Sequence, residues 1–172
     1  MRCLTLHQPW ASLIACGAKS IETRSWATKY RGPLAIHASS RGYVHSGLPF
    51  DLLYNALEGT PMASLSERGR GIVYSAFPRG QIIAICHLID VRPIRFSGIG
   101  AGGPWLDPDM LSAQERAVGD YTPGRYAWEL CNVVPIPEPI PAKGARMLRN
   151  CDLPELMTFA KQWEESYANA IS

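Results

Sequence analysis

The sequence predicts a mainly β domain with flanking helices, a small barrel carrying one helix after its first strand and another at its C-terminal end. Two observations predict this. Short strand-like runs recur between turn residues, and the clearest apolar stripes at helical spacing lie near the two ends. Strand and helix patterns do not alternate as a regular strand–helix–strand fold requires.

Met1–Gln8 reads as the first strand, with Cys3, Thr5 and His7 on one side. Pro9 suits a first helical turn, Trp10, Leu13 and Ile14 form an apolar stripe, and Gly17 stops the helix. Lys19–Ser25 alternates again, with Glu22 and Arg24 on the side opposite Lys19, Ile21 and Thr23. Pro33–Ser39 is a third strand. Phe50–Leu57 fits a short helix between Pro49 and Gly59, and a further strand begins near Ile72.

Gln81–Val91 is the strongest strand signal, through Ile82, Ile83, Ile85 and Leu88. Residues 97–124 form an extended loop, opened by closely spaced glycines and closed by Pro123-Gly124, with one helical turn near Ala113–Val118. Tyr126–Val134 is the next strand. The strip after it holds Pro135, Pro137, Pro139 and Pro141, which lack amide donors, so it reads as an extended edge segment. A C-terminal helix over about 154–170 presents Leu156, Phe159, Ala160, Trp163 and Tyr167 on one face.

At 172 residues the chain fits one domain spanning 1–172, large enough to fold as a monomer without disulfides or metal. The net charge of +2 excludes a uniformly basic nucleic-acid surface but not a local basic pocket. Positive charge gathers at Lys19, Arg24, Lys29, Arg31 and Arg41, against Glu22 alone. The five cysteines are odd in number and show no CxxC spacing, which fits buried thiols in a reducing cytoplasm. No apolar run approaches the length of a membrane span. The histidines show no ligand spacing, so neither a metal nor another cofactor is expected.

The densest polar cluster is Lys19, Glu22, Arg24 and Trp26, followed by Tyr30 and Arg31. Arg24 supplies a planar fork for phosphate, Lys19 a compact charge, and Trp26 and Tyr30 surfaces on which a base can stack. Lys19 joins Glu22 in one pocket only if the strand begins with a bend or bulge. The plainer reading is a salt-bridged strand face with Trp26 in the core. Gln8 and Trp10 flank the first strand-to-helix turn, where free helix amides would attract an anion; alternatively Trp10 anchors the core and Gln8 partners the turn. His37 either relays a proton to a ligand or is a satisfied structural residue. Glu129 either pairs with Arg24 or Lys19 across the barrel or faces water.

Several blocks together resemble the ASCH family, a branch of the PUA-like β-barrels. They are Leu4-Thr5-Leu6-His7-Gln8-Pro9-Trp10, Gly17-Ala18-Lys19-Ser20-Ile21-Glu22-Thr23-Arg24-Ser25-Trp26 and Tyr30-Arg31-Gly32-Pro33-Leu34-Ala35-Ile36-His37-Ala38. Gly80–Asp90, Tyr126–Leu130 and Glu138–Gly144 complete the pattern. The resemblance implies a PUA-like barrel with a cleft beside its first helix, similar to the RNA-binding surface of PUA domains. The family's Gly-Lys-x-x-Glu/Thr-x-Arg element falls on Gly17, Lys19, Glu22 and Arg24. One bacterial branch hydrolyses N4-acetylcytidine with a lysine, a threonine and a glutamate; Lys19 matches the lysine, but Glu22 stands where that branch has threonine. Other relatives are ribonucleases or modules of transcriptional coactivators.

Three functions follow as expectations. The first is a module binding single-stranded or structured RNA, or a nucleoside-like molecule, through a cationic and aromatic cleft. The second is a metal-independent hydrolase of RNA or an N-acylated nucleoside, with Lys19 and Glu22 catalytic. In that role Glu22 is expected to be a poor base, because the two cations beside it favour its ionised form. The third is a protein-interaction module of a transcription or RNA-related complex, using residues 97–124 and the proline strip as its surface.

Overall fold

A computed structural model describes residues 1–41, 53–54, 57, 66–67, 71–72, 76–96 and 104–170. The described elements are β1 (Arg2–Leu6), α1 (Trp10–Ala15), β2 (Ile21–Arg24), β3 (Gly32–Ala38), β4 (Ser66–Glu67), β5 (Gly71–Ile72), β6 (Gln81–Pro93), α2 (Ala113–Ala117), β7 (Tyr126–Pro141), β8 (Leu148–Asn150) and α3 (Pro154–Ala170). Six strands form one curled sheet in the order β2-β7-β6-β3-β1-β8, a half-barrel with β2 and β8 as its edges. β4 and β5 pair separately. All pairs in the main sheet are antiparallel except β1 with β3, which run parallel. The crossover through α1 and β2 makes that parallel pairing possible.

Alternation gives the sheet two apolar faces. Leu4, Leu6, Leu34, Ile36, Leu88, Trp128 and Leu130 face one side, where Ala11, Ile14 and Ala15 of α1 complete the packing. Cys3, Ala35, Ile82 and Ile85 face the other, covered by Leu156 and Trp163 of α3. α3 packs through its predicted stripe, whereas α1 meets the sheet through Ala11, Ile14 and Ala15 and turns Trp10 and Leu13 toward a separate cluster with Leu53 and Phe77. α1 stops at Gly17, whose φ of +81° suits a residue without Cβ and whose amide donates to Ile14 O at 2.9 Å.

The predicted fold class holds, and the structure refines its details. The barrel is a half-barrel. The proline strip is not a separate edge segment but the second half of β7, yet it pairs with β6 alone, because β2 covers β7 only from Tyr126 to Glu129. Its pairing is also broken: Pro135 opposes Ala84 and Ile140 opposes Ile82, so residues 136–139 bulge out opposite Ile83. Of the predicted short helix, Leu53, Tyr54 and Leu57 are helical, whereas residues 50–52 and 55–56 lie outside the described residues, as do residues 97–103 of the long loop. The helical turn in that loop is α2, preceded by a 3-10 turn at Pro108–Met110.

Candidate functional site

α1 turns into β2 through residues 16–20, and this bend settles where Lys19 points. Lys19 precedes the strand, its amide donates to Leu13 O at 3.0 Å, and its ammonium is driven inward until the residue is 1% exposed. A buried ammonium needs a counter-charge. Glu115 of α2 supplies it, with Oε1 at 3.3 Å from Nζ. The same carboxylate accepts from the Ser20 amide at 2.8 Å, the Ser20 hydroxyl at 3.0 Å and the Tyr121 hydroxyl at 2.7 Å. Gln114 adds a bond from Nε2 to Ala18 O at 3.1 Å. The long loop is thus docked on the start of β2.

Glu22 is buried, and its nearest cation is Arg24, with Nη1 at 3.4 Å from Oε1. Burial pushes the Glu22 carboxyl above its ordinary range and outweighs the opposing pull of Lys19, Arg24 and Arg125. The cations beside Glu22 pull in the expected direction, but burial outweighs them and the net shift is upward. Glu115 behaves oppositely: burial raises it, but Lys19 and the bonds from Ser20 and Tyr121 outweigh burial and hold it below the ordinary range. Two buried carboxylates share the field of one lysine and are driven apart.

Arg24 lies beside Trp26, with 5.9 Å from guanidinium carbon to ring centroid. Trp26 meets Trp128 edge-on, with centroids 4.6 Å apart, and accepts a bond at its carbonyl from Trp128 Nε1 at 3.3 Å. Trp26 is only half-buried, so it both packs on the core and leaves ring surface open. His7, at the end of β1, completes this side. Burial, Arg41 and Arg24 all hold its imidazole below the ordinary range.

The other sequence-predicted residues sit apart or are already engaged. Gln8 is fully buried; its Nε2 donates to Pro78 O at 2.8 Å, and its Oε1 accepts from the Ser12 amide at 3.1 Å. The Ala11 amide is taken by His7 O, so these first amides of α1 are not free for an anion as expected. Trp10 packs beside Leu13, Leu53, Leu57, Phe77 and Val118 as a core anchor. Tyr30 donates its hydroxyl to Pro33 O and lies under the Arg2 guanidinium.

Arg31 binds Asp90 at 3.0 Å. Glu129 follows neither alternative: it pairs with Arg92, standing opposite Ile21 and so on the side of the sheet away from Glu22 and Arg24, while Lys19 is held by Glu115. His37 also faces away: Ile36 and Ala38 on either side of it belong to the first core cluster. Its Nε2 lies 2.9 Å from Ala142 O. The structure thus brings Lys19, Glu22, Arg24 and Trp26 together and leaves His37 and Glu129 elsewhere.

Sequence reasoning missed Glu115, Tyr121 and Arg125. Ser112 and Glu115 have the spacing of a capping box, and the Ser112 hydroxyl does accept from the Glu115 amide at 3.1 Å. That local signal masks the distant role of the carboxylate.

A curled sheet plugged by a helix, with a lysine, glutamate and arginine at the helix-to-strand bend, defines an ASCH-type domain. The ASCH domain family model matches residues 4–139, and the chain belongs to that family. Among known proteins it is similar to activating signal cointegrator 1 of Homo sapiens and of Mus musculus, each 54% identical over 39 residues. That stretch is 23% of this chain and 7% of each relative, so the chain matches only a small part of their length. No described helix is long and apolar enough to cross a membrane.

Proposed function

We propose that this ASCH domain binds RNA, or a nucleoside-like part of it, at the Glu22–Arg24–Trp26 surface. One observation carries the reading. The Arg24 side chain, 26% exposed, sits between a buried carboxylate and a half-buried indole. This arrangement offers a donor fork for phosphate, a face for a base, and an acceptor for a base amino group. Family membership supports the RNA-directed choice. Lys19 takes a different role from the one its sequence position implies. Enclosed by Glu115, it sets the field around Glu22 and leaves phosphate contact to Arg24.

The test is binding of short single-stranded RNAs to wild type, Arg24→Ala and Trp26→Ala at low and physiological salt. One lost phosphate contact should make the salt slope shallower by about 0.7 in Arg24→Ala. Loss of stacking in Trp26→Ala should cost about 1–3 kcal/mol. Equal binding by all three folded proteins would sink the reading.

A second reading, hydrolysis of RNA or an N-acylated nucleoside, is favoured by the raised Glu22 carboxyl. Such a group takes up a proton closer to neutrality than an ordinary carboxylate does. Chromatography of the same samples tests it: product formed by wild type and not by Glu22→Gln, with binding retained, makes the surface an active site.

A further inference from the structure

We propose that the groove between the proline bulge of β7 and α3 is a docking site for an extended peptide carrying apolar residues flanked by lysine or arginine. This surface is separate from the Glu22–Arg24–Trp26 site. Residues 136–139 are looped out of register opposite Ile83, and a cavity of about 820 Å³ lies between this stretch and the N-terminal half of α3. Ile136, Ile140, Leu153 and Phe159 give it an apolar lining.

Charge and shape decide the occupant. The charged side chains lining the groove are Glu138 and Glu155, both exposed and both without an ion-pair partner among the described residues. They stand on opposite walls, one on the strand and one in the first turn of α3. A nucleic acid is repelled by such a pair, whereas a cationic peptide is attracted. One wall is six consecutive extended residues, Ile136–Pro141. Because part of this stretch is looped out of register, the wall runs along the three strand steps from Ala84 to Gln81, roughly 10 Å, which fits about three residues of an extended chain. The prolines remove alternate amide donors from that wall, so recognition rests on side chains and not on added strand pairing.

The experiment titrates isotope-labelled full-length protein with two synthetic peptides, acetyl-Lys-Leu-Ile-Lys-amide and acetyl-Glu-Leu-Ile-Glu-amide, and follows amide shifts. The basic peptide should perturb Ile136, Ile140 and Phe159 and bind about tenfold more tightly than the acidic one. Glu138→Lys/Glu155→Lys should reverse that preference, and Glu138→Gln/Glu155→Gln should abolish it, with RNA binding unchanged in both. Equal response to the two peptides, shifts located elsewhere, or no response at millimolar peptide would overturn the proposal. So would self-association through this groove in sedimentation, or RNA shifting the same amides. Failure of RNA binding alone leaves this groove standing, because its readout is confined to β7 and α3.

Discussion

Lys19 and Glu115 lie 96 positions apart in the chain, and their charged atoms meet at 3.3 Å inside the protein. That pair ties the loop between β6 and β7 to the start of β2. It also leaves Glu22 as the carboxylate beside Arg24.

Glu115→Gln should leave the Lys19 ammonium buried without a counter-charge and cost about 3–5 kcal/mol in urea unfolding. Lys19→Met/Glu115→Gln should recover much of that loss, because no unpaired charge remains. Strict additivity of the two single variants would show that the pair is not coupled.

Gly119→Ala tests how tightly the loop closes over Lys19. A Cβ there would fall 2.4 Å from the Tyr121 ring and 2.9 Å from Lys19 Nζ. Such overpacking should destabilise by about 1–3 kcal/mol in thermal melts. A melting temperature equal to wild type would mean that the 119–121 turn yields easily.

Stability should vary with pH in a way that separates the two carboxylates. Glu22 has a folded pKa above its ordinary value of 4.5, so its contribution is complete below that value and is lost as pH rises through the folded one. Glu115 has a folded pKa below 4.5, so its contribution is present above that value and is lost as pH falls through the folded one. Urea titrations from pH 3 to pH 8 should show Glu22→Gln gaining on wild type as pH rises. A constant difference across the range would contradict the assignment for Glu22.

His37 carries a third pH signature. Burial holds its imidazole below the ordinary 6.5, despite the bond to Ala142 O. The unfolded chain therefore takes up the proton first, and stability falls as pH drops below about 6.5. His7 and His87 are shifted the same way, so His37→Gln should flatten only part of that slope. An unaltered slope would place the effect in the other two.

Much of the architecture was legible in the chain because it depends on local pattern. Alternation located β1 and β2, apolar runs between turn residues located β3, β6 and the first half of β7, and helical spacing located α1 and α3. The parallel pairing of β1 with β3 was not legible, because pairing partners depend on how the chain crosses space and not on its own alternation. The limits of the proline bulge were equally hidden, being set by its register against β6.

The same division runs through the site. The sequence alone determined that Lys19, Glu22, Arg24 and Trp26 cluster, because eight consecutive positions hold them all. Only the tertiary structure decided their states. The bend before β2 buried Lys19, the distant Glu115 neutralised it, and burial then raised the carboxyl of Glu22. Charge in a folded protein is governed by desolvation and by partners through space, and neither is encoded in the spacing of residues along the chain.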